Sequence, residues 1–444
     1  MPRCSTVELR TSEIASATGG RLVGADAVVA GAAIDSRLVT GGELFVPVVA
    51  ERDGHDFVGA AVAAGAAAYL RSRPVDVRAP GGAEVPAVEV ADTGAALSAL
   101  GAHARDRLPD RVVGITGSVG KTSVKDLLAA ALACRWRTAA SPGSFNNELG
   151  VPLTLLDAAG DSEAVVVEMG ARGVGHVAAL CAVARPTVAV VTRVAAVHTE
   201  TFGTLDDVAR AKGELVEALP ATGMAVLNAG DPRVAAMAAR SAARVVTFGA
   251  GGEVAAEDMV LDDDLRPRFR LVSPWGCTAV RLGVRGAHMV DNALAAAAAA
   301  LVCEVPLAGV AEALAGAGLS RWRMDLVRLG SGAHLLNDAY NANPTSMAAA
   351  LRALAALPAR RRMAVLGIMA ELGPSSDAHH RAAGALAREL GVEVVAVAAP
   401  AYGGTDVADL AGAVAALGPL GEGDAVLLKG SRVAGLERLA DLLR

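Results

Sequence analysis

The sequence predicts an α/β protein with several separate cores, on three observations. Hydrophobic residues make up 53% of the 444-residue chain but aromatics only 3%. The cores must therefore be built from Ala, Val and Leu, side chains that suit helices packed closely on parallel sheets. Strand-like apolar runs alternate with helix-spaced patterns along most of the length. One such run, "RVV", feeds directly into "GITGSVGKTSVKDLL" (residues 114–128), which reads as a strand, a glycine-rich turn and the start of a helix. At roughly 100 to 200 residues per domain, the length predicts about three domains.

Taken in order, "ELFVPVV" and "AVEVAD" read as strands, and "DFVGAAVAAGAAAYL" carries small apolar residues at helical spacing, so the first hundred or so residues form a compact α/β unit. A boundary is placed near residue 108, at "RDRLPD", just before the glycine-rich turn. The strands "RVVGIT", "AVVVEMG", "TVAVVTRV", "GMAVLN" and "ARVVTFG" follow with helical patterns between them, which predicts a doubly wound sheet. After an Ala-rich helix around residue 297 and the segment "GLSRWRMD", new strands appear in "HLLND", "RMAVLGI", "VEVVAVA" and "DAVLLKG", so a third α/β domain begins near residue 318. The expected domains are 1–107, 108–317 and 318–444.

Charge and cysteine usage exclude several function classes. A formal net charge of -6 without a long basic block argues against nucleic acid as a partner. The five cysteines, Cys4, Cys134, Cys181, Cys277 and Cys303, are far apart, suggest neither a zinc site nor a disulfide framework, and fit a reducing cytoplasm. The N-terminus lacks an apolar signal core and the Ala-rich stretches are too short to span a bilayer, so no membrane insertion is expected.

A phosphate-binding turn needs backbone N–H groups converging without an intervening Cβ, then a lysine and a hydroxyl able to reach Mg²⁺. Gly117, Gly120, Lys121 and Thr122 meet those needs, although Ile115 stands where the general signature has its first glycine. Glu168 ends the strand "AVVVEMG", where a carboxylate is either a Mg²⁺ ligand or a capping acid. His198 follows another strand of the same sheet and could serve a second metal position, or be structural. Lys212, in the helical pattern "DDVARAKGELVEAL", reads from spacing alone as a solvated lysine. "NDAYNANPTSM" is a binding loop or an Asn/Pro turn, and "LLKGSR" ends a strand with Lys429, Ser431 and Arg432 as either site or surface charge.

Together these segments resemble the Mur ligase family, over nearly the whole chain and in the family's order. They are "DSRLVTGGELFVPVVAERDGHDF", "GITGSVGKTS", "PGSFNNELGVPLTLL", "VEMGAR", "VHTETFG", "ARAKGEL", "GAHMVDNALAA", "SRWRM", "NDAYNANPTSM", "LGIMAELG" and "LLKGSR". The family's own turn is a shortened TGxxGKT type, so Ile115 is no objection. The resemblance implies a small N-terminal α/β domain for a uridine-nucleotide substrate, a central P-loop ATPase domain and a C-terminal Rossmann-like domain closing over it. It implies an ATP-dependent amide ligase joining D-alanyl-D-alanine to a UDP-muramoyl-tripeptide through an acyl phosphate, in a cytoplasmic monomer.

By family position, Ser36, Arg37, Gly54, His55 and Asp56 would help hold the UDP-sugar, and Asn146 and Asn147 would contact that substrate from the central domain. Gly117, Ser118, Gly120, Lys121, Thr122 and Ser123 would hold ATP, with Asn292 by the adenine and Arg323, Asp338, Tyr340 and Asn341 completing the nucleotide site. Thr122, Glu168 and His198 would hold Mg²⁺ at two sites, with a carbamylated Lys212 steadying the second. Lys429 and Ser431 would lie near the dipeptide. Arg193, Trp322 and Ile368 depart from the family's usual residues near the nucleotide, which leaves open a paralogue with another acceptor, such as D-alanyl-D-lactate or a specialised-metabolite peptide. A nucleotide-binding switch without ligation is the reading from another class; Glu168, His198 and Lys212 together speak against it.

Overall fold

A computed structural model describes residues 6–158, 160–195 and 202–443. The centre of the molecule is a six-stranded, wholly parallel sheet in the order Arg244–Phe248, Met224–Asn228, Val188–Val191, Val112–Thr116, Ala164–Glu168, Thr138–Ala140. The chain leaves Val112–Thr116 to one side for the next two strands, then crosses to the other side for the remaining three. The loop after Val112–Thr116 therefore sits at the switch point, where open α/β sheets bind ligands beyond the carboxyl ends of their strands.

Both faces of this sheet are buried, which explains why its strands read as unbroken apolar runs. Val113, Ile115, Val166, Val190, Val226 and Val246 face the helices Lys121–Ala133 and Met289–Val302. Val112, Val165, Val167, Val191 and Leu227 face the helices Gly150–Asp157, His176–Ala184 and Leu205–Glu217. In Met289–Val302 the alanines 295 to 300 are all fully buried. Side chains that small let the helix lie close against Lys121–Ala133, the helix that begins at the glycine-rich turn.

Between Phe248 and Met289 the chain forms a three-stranded antiparallel sheet, Ala255–Leu261, Pro267–Ser273 and Gly276–Arg281, which the strand pattern had not predicted. In Pro267–Ser273 the buried Phe269 and Leu271 alternate with the exposed Arg268 and Arg270. That alternation is the mark of a sheet with one wet face.

The N-terminal unit carries a five-stranded mixed sheet and a separate two-stranded pair. Here the expectation of one long helical pattern in "DFVGAAVAAGAAAYL" is corrected. The helix spans only Val58–Ala63, Gly65 turns the chain with φ 102°, and Ala68–Arg71 is a fully paired inner strand. Small apolar residues fit either period, and glycine's freedom at positive φ decides where the helix stops. The unit's last helix, Thr93–Arg105, packs on Gly150–Asp157 and His176–Ala184, and a Cβ on Gly101 would stand 2.7 Å from Pro152.

The C-terminal unit is a six-stranded sheet in the order Asp325–Arg328, His334–Asn337, Asp424–Lys429, Arg361–Leu366, Glu393–Val397, Thr405–Val407, parallel except for its first strand. It joins the central unit through residues 317–324, where Trp322 and Met324 adopt the left-handed region at φ 61° and 51°. Among the described residues no helix is long and apolar enough to cross a membrane.

Candidate active site

The carboxyl ends of the central and C-terminal sheets face one cavity of about 1060 Å³. The glycine-rich loop, Glu168, Lys212 and Asn292 line it from the central unit, and Arg323, Asp338, Tyr340, Lys429 and Ser431 line it from the C-terminal unit. From the N-terminal unit only Ile34 reaches its wall among the described residues.

The loop is built for a close approach of backbone to ligand. Gly117 has φ 147° and Gly120 φ 86°; a Cβ on the first would fall 1.9 Å from Thr192 Oγ1, and on the second 2.4 Å from Asn292 Oδ1. Gly120 leads into the helix Lys121–Ala133, so the first free N–H groups of that helix, and its positive end, face the cavity. Lys121 Nζ folds back onto the Gly117 carbonyl at 2.8 Å. Burial lowers its pKa, with Glu168 opposing the fall and Arg323 adding to it. Ser118 lines the cavity, and its hydroxyl donates to the Ala195 carbonyl and accepts from the Ala195 N–H, which secures the next loop. Ser123 is buried in the helix.

Glu168 is 1% exposed. Its Oε1 accepts a 2.7 Å hydrogen bond from Asn146 Nδ2, while Oε2 is buried without a hydrogen-bond partner. A bare carboxylate oxygen in a dry site is costly unless a cation or proton joins it. The residues present thus suit a divalent cation beside the loop, with Thr122 Oγ1 as the neighbouring hydroxyl. Asn146, expected at the substrate, lines the cavity and orients this carboxylate, and Asn147 Oδ1 accepts from the Gly150 N–H, closing the turn below it. His198 lies outside the described residues. Within them no group of three or more His, Cys, Asp and Glu side chains gathers as a metal site.

Lys212 is 2% exposed, so the expectation of a solvated lysine from spacing is overturned. Burial, with help from Lys121 and against Glu214, lowers its pKa to about 7. Its ammonium sits 5.7 Å from the Phe202 ring centroid and makes no hydrogen bond among the described residues. Two residues on, Glu214 accepts from the N–H groups of Gly175 and Ala178, which fixes the start of the helix His176–Ala184 at the cavity wall.

Arg323 crosses from the C-terminal unit: its Nη2 donates to Thr122 Oγ1 at 2.9 Å and its guanidinium lies 4.2 Å from the centroid of the Tyr340 ring. The Tyr340 hydroxyl in turn bonds Ser144 Oγ of the central unit. Lys429 is spoken for: it is ion-paired with Asp338 Oδ2 and donates to the Asn341 carbonyl at 3.1 Å. Ser431 Oγ accepts from the Ala370 N–H and donates to the Ala342 carbonyl. Both tie together the loops of the C-terminal unit that face the cavity. Asn292 stands beside Gly120 of the phosphate loop, and its Nδ2 donates to Met289 Sδ at 3.3 Å.

Of the three departures, Arg193 pairs with Asp291 at 3.4 Å, Trp322 lies under Arg432 at 4.3 Å, and Ile368 is 40% exposed. Sequence reasoning missed His288, whose imidazole pKa is lowered by burial, with Asp338 opposing and Lys429 adding to the shift. It sits in "GAHMVDN" at the cavity wall, and only its place in that motif could have signalled it.

The expected sugar-binding residues stand apart from this cavity. His55 is 3% exposed; its Nδ1 bonds Asp53 Oδ1 at 2.6 Å and its Nε2 accepts from the Ser72 N–H at 3.0 Å. The ring is thus a brace for the "DGHDF" turn and has no edge left for a ligand. Gly54 packs its α-carbon against Val48 in that turn, and Asp56 receives Arg73. Arg37 is bound to Asp35 on the surface beside Ser36, and the pair draws the Asp35 carboxyl below its usual range.

Comparison with known proteins matches residues 115–300 to the Mur ligase middle domain and residues 322–432 to the Mur ligase glutamate ligase domain. The chain is 41% identical to the UDP-N-acetylmuramoyl-tripeptide--D-alanyl-D-alanine ligase of Mycobacterium tuberculosis, over 98% of both chains. It superposes on the crystal structure of MurF from Acinetobacter baumannii with a TM-score of 0.88 at 31% identity, covering 99% of each. On the MurF ligase of Thermotoga maritima in complex with ADP the TM-score is 0.79 at 27% identity, over 93% of this chain and 96% of that one.

Proposed function

We propose, from the premise that the chain belongs to the Mur ligase family, the reaction that its full-length relatives are named for. It is an ATP-dependent ligase that joins D-alanyl-D-alanine to UDP-N-acetylmuramoyl-tripeptide, in the assembly of peptidoglycan precursor. The observation that carries the reading is the cavity itself: a phosphate loop, a lysine and a carboxylate with one bare oxygen stand on one wall, and Arg323 reaches them from the other.

A carboxylate is a poor acyl donor, so its activation by ATP as an acyl phosphate comes before attack by the dipeptide amine. In this chain the loop Gly117–Gly120 and the start of the following helix cradle the β- and γ-phosphates through backbone N–H groups. Lys121 leaves the Gly117 carbonyl for the transferring phosphoryl group and, with Arg323, offsets the charge gathering there. Thr122 Oγ1 and Glu168 Oε2 would hold Mg²⁺, which supplies electrostatic relief to the phosphates. Arg323 donates to that same threonine here, so nucleotide binding must draw the guanidinium off it. Lys212, buried and with its pKa lowered to about 7, is more readily in the amine form that takes up CO₂ than an ordinary lysine, and we assign it the carbamate of the second metal position. Tyr340 and Ser144 close the cavity across the cleft and exclude water from the acyl phosphate. The folded units are assigned to residues 1–107, 108–317 and 318–444, with the uridine nucleotide at the first, and the enzyme works in the cytoplasm.

The test is phosphate release by the purified protein with ATP, Mg²⁺, UDP-muramoyl-tripeptide and either D-alanyl-D-alanine or D-alanyl-D-lactate, with products identified by mass. Release that depends on D-alanyl-D-alanine and yields the amide is the expected result. Turnover with the depsipeptide alone would make Arg193, Trp322 and Ile368 marks of a different acceptor, and silence with both would overturn the reading. Lys121→Ala should abolish ADP formation while leaving binding of the UDP substrate within about twofold, since that substrate is held elsewhere. For Lys212, ¹³C-bicarbonate should give a carbamate resonance that Lys212→Met lacks.

A further inference from the structure

The helix that follows the phosphate loop buries an ion pair that none of the chemistry above uses. Lys125 and Asp126 are sequence neighbours on it, and neighbours on a helix ordinarily point about 100° apart. Here Lys125 Nζ curls back to Asp126 Oδ1 at 2.7 Å, with the two side chains only 5% and 13% exposed. The same ammonium donates to the Ser141 carbonyl at 2.9 Å. Ser141 in turn lies under the metal-site carboxylate: its Oγ accepts the Glu168 N–H at 3.1 Å and a 3.2 Å bond from Thr154. At the other end, Asp126 Oδ2 accepts the Ser320 N–H at 2.7 Å, in the segment that leads into the C-terminal unit.

These contacts make one continuous chain: Ser320, Asp126, Lys125, Ser141, Glu168. A buried pair like this adds little net stability over an apolar pair of the same shape, yet it is directional and expensive to leave half-made. What it does provide is a fixed relation between the backbone of the hinge and the backbone of the residue whose free oxygen faces the phosphates.

We propose that Lys125 and Asp126 are positioning residues that couple the placement of the hinge to the placement of Glu168, so that the carboxylate is set for the metal only when the C-terminal unit is seated. The proposal rests on the reading of Glu168 as a metal ligand. Neither residue lines the cavity. Ser141 is the joint between the two halves, and its hydroxyl can be removed without touching the ion pair or the hinge.

The experiment measures binding of a non-hydrolysable ATP analogue by titration calorimetry with and without Mg²⁺, alongside amide hydrogen exchange at residues 318–324. Wild type should bind more tightly with Mg²⁺; if it does not, the metal assignment of Glu168 fails and the relay with it. Given that enhancement, Asp126→Ala should cut it by about tenfold, in the range seen when outer partners of metal ligands are removed, and should speed exchange at the hinge. The Mg²⁺-free affinity should stay unchanged. Ser141→Ala should lose the same enhancement with no change at the hinge, and Lys125→Arg, which can still reach both acceptors, should retain it. Melting temperatures of all three exclude misfolding, and Ser141→Ala keeps the test open should Asp126→Ala fold poorly. Full enhancement in Asp126→Ala or Ser141→Ala, or an equal loss with and without Mg²⁺, would overturn the proposal.

Discussion

Lys212 shows how far a side chain's neighbourhood can depart from what its spacing suggests. The pattern "DDVARAKGELVEAL" places a charged residue every few positions, as a wet helix does, and nothing local reveals that position 212 points inward. Burial against Phe202, next to the loop of Lys121, is a tertiary fact. It has a thermodynamic consequence. With the folded pKa near 7 and the unfolded one near the ordinary 10.5, the unfolded chain binds more protons between those values, so stability rises with pH across that window. Below pH 7 the cost of the buried ammonium is fully present. Lys212→Met should therefore stabilise the protein by about 1–3 kcal/mol at pH 6.5, and in denaturant melts the gap between variant and wild type should narrow steadily as pH rises from 7 toward 10.5, while ligase turnover is lost. The residue pairings of the site were equally hidden. The motif "SFNNELG" marked Asn146 as functional, but only the fold shows that it bonds Glu168 and leaves Oε2 bare.

At the level of elements the sequence was most readable where strands are buried on both faces. Val112–Thr116, Ala164–Glu168 and Asp424–Lys429 are short apolar runs because each has a helix layer above and below. The antiparallel sheet of residues 255–281 escaped because one face is wet, and its stretch "AAEDMVL" carries two acids and a bulge where a run was sought. Helix Met289–Val302 illustrates the converse. Its alanines look featureless, yet they set how near the helix comes to the phosphate-loop helix. Ala297→Leu, at a position with no exposure, should overpack the core around this helix and cost about 1–3 kcal/mol in a urea melt. If the loop depends on this packing, nucleotide affinity should fall in step. A loss of stability with unchanged affinity would separate the two.

Across its cleft the molecule as a whole makes polar contacts, Arg323 to Thr122, Tyr340 to Ser144 and Ser320 to Asp126, beside an apolar cluster that takes in Leu132 and Leu294 from one unit and Leu336 and Leu354 from the other. These are modest, about 1 kcal/mol net for the neutral bond between Tyr340 and Ser144 and about 1.5–3 kcal/mol for the two that involve a charged group. Tyr340→Phe removes one of them while keeping the ring under Arg323. Small-angle scattering of the nucleotide-free protein should then show a larger radius of gyration, reversed by ATP and both substrates. An unchanged radius would place the closing force elsewhere.

The helix Thr93–Arg105 belongs by sequence to the N-terminal unit, yet Leu97, Leu100 and Ala104 share one apolar cluster with Val151, Leu155 and Val177. The apolar core therefore runs on across the linear boundary near residue 108. A gene fragment cut there would express an N-terminal piece with a greasy helix face and a central piece with the matching bare patch, and neither would be expected to remain dispersed without the other. Moving the cut to before residue 92 would not help, because the same cluster also takes in Ile14, Val29 and Val88, and His103 bonds Glu13.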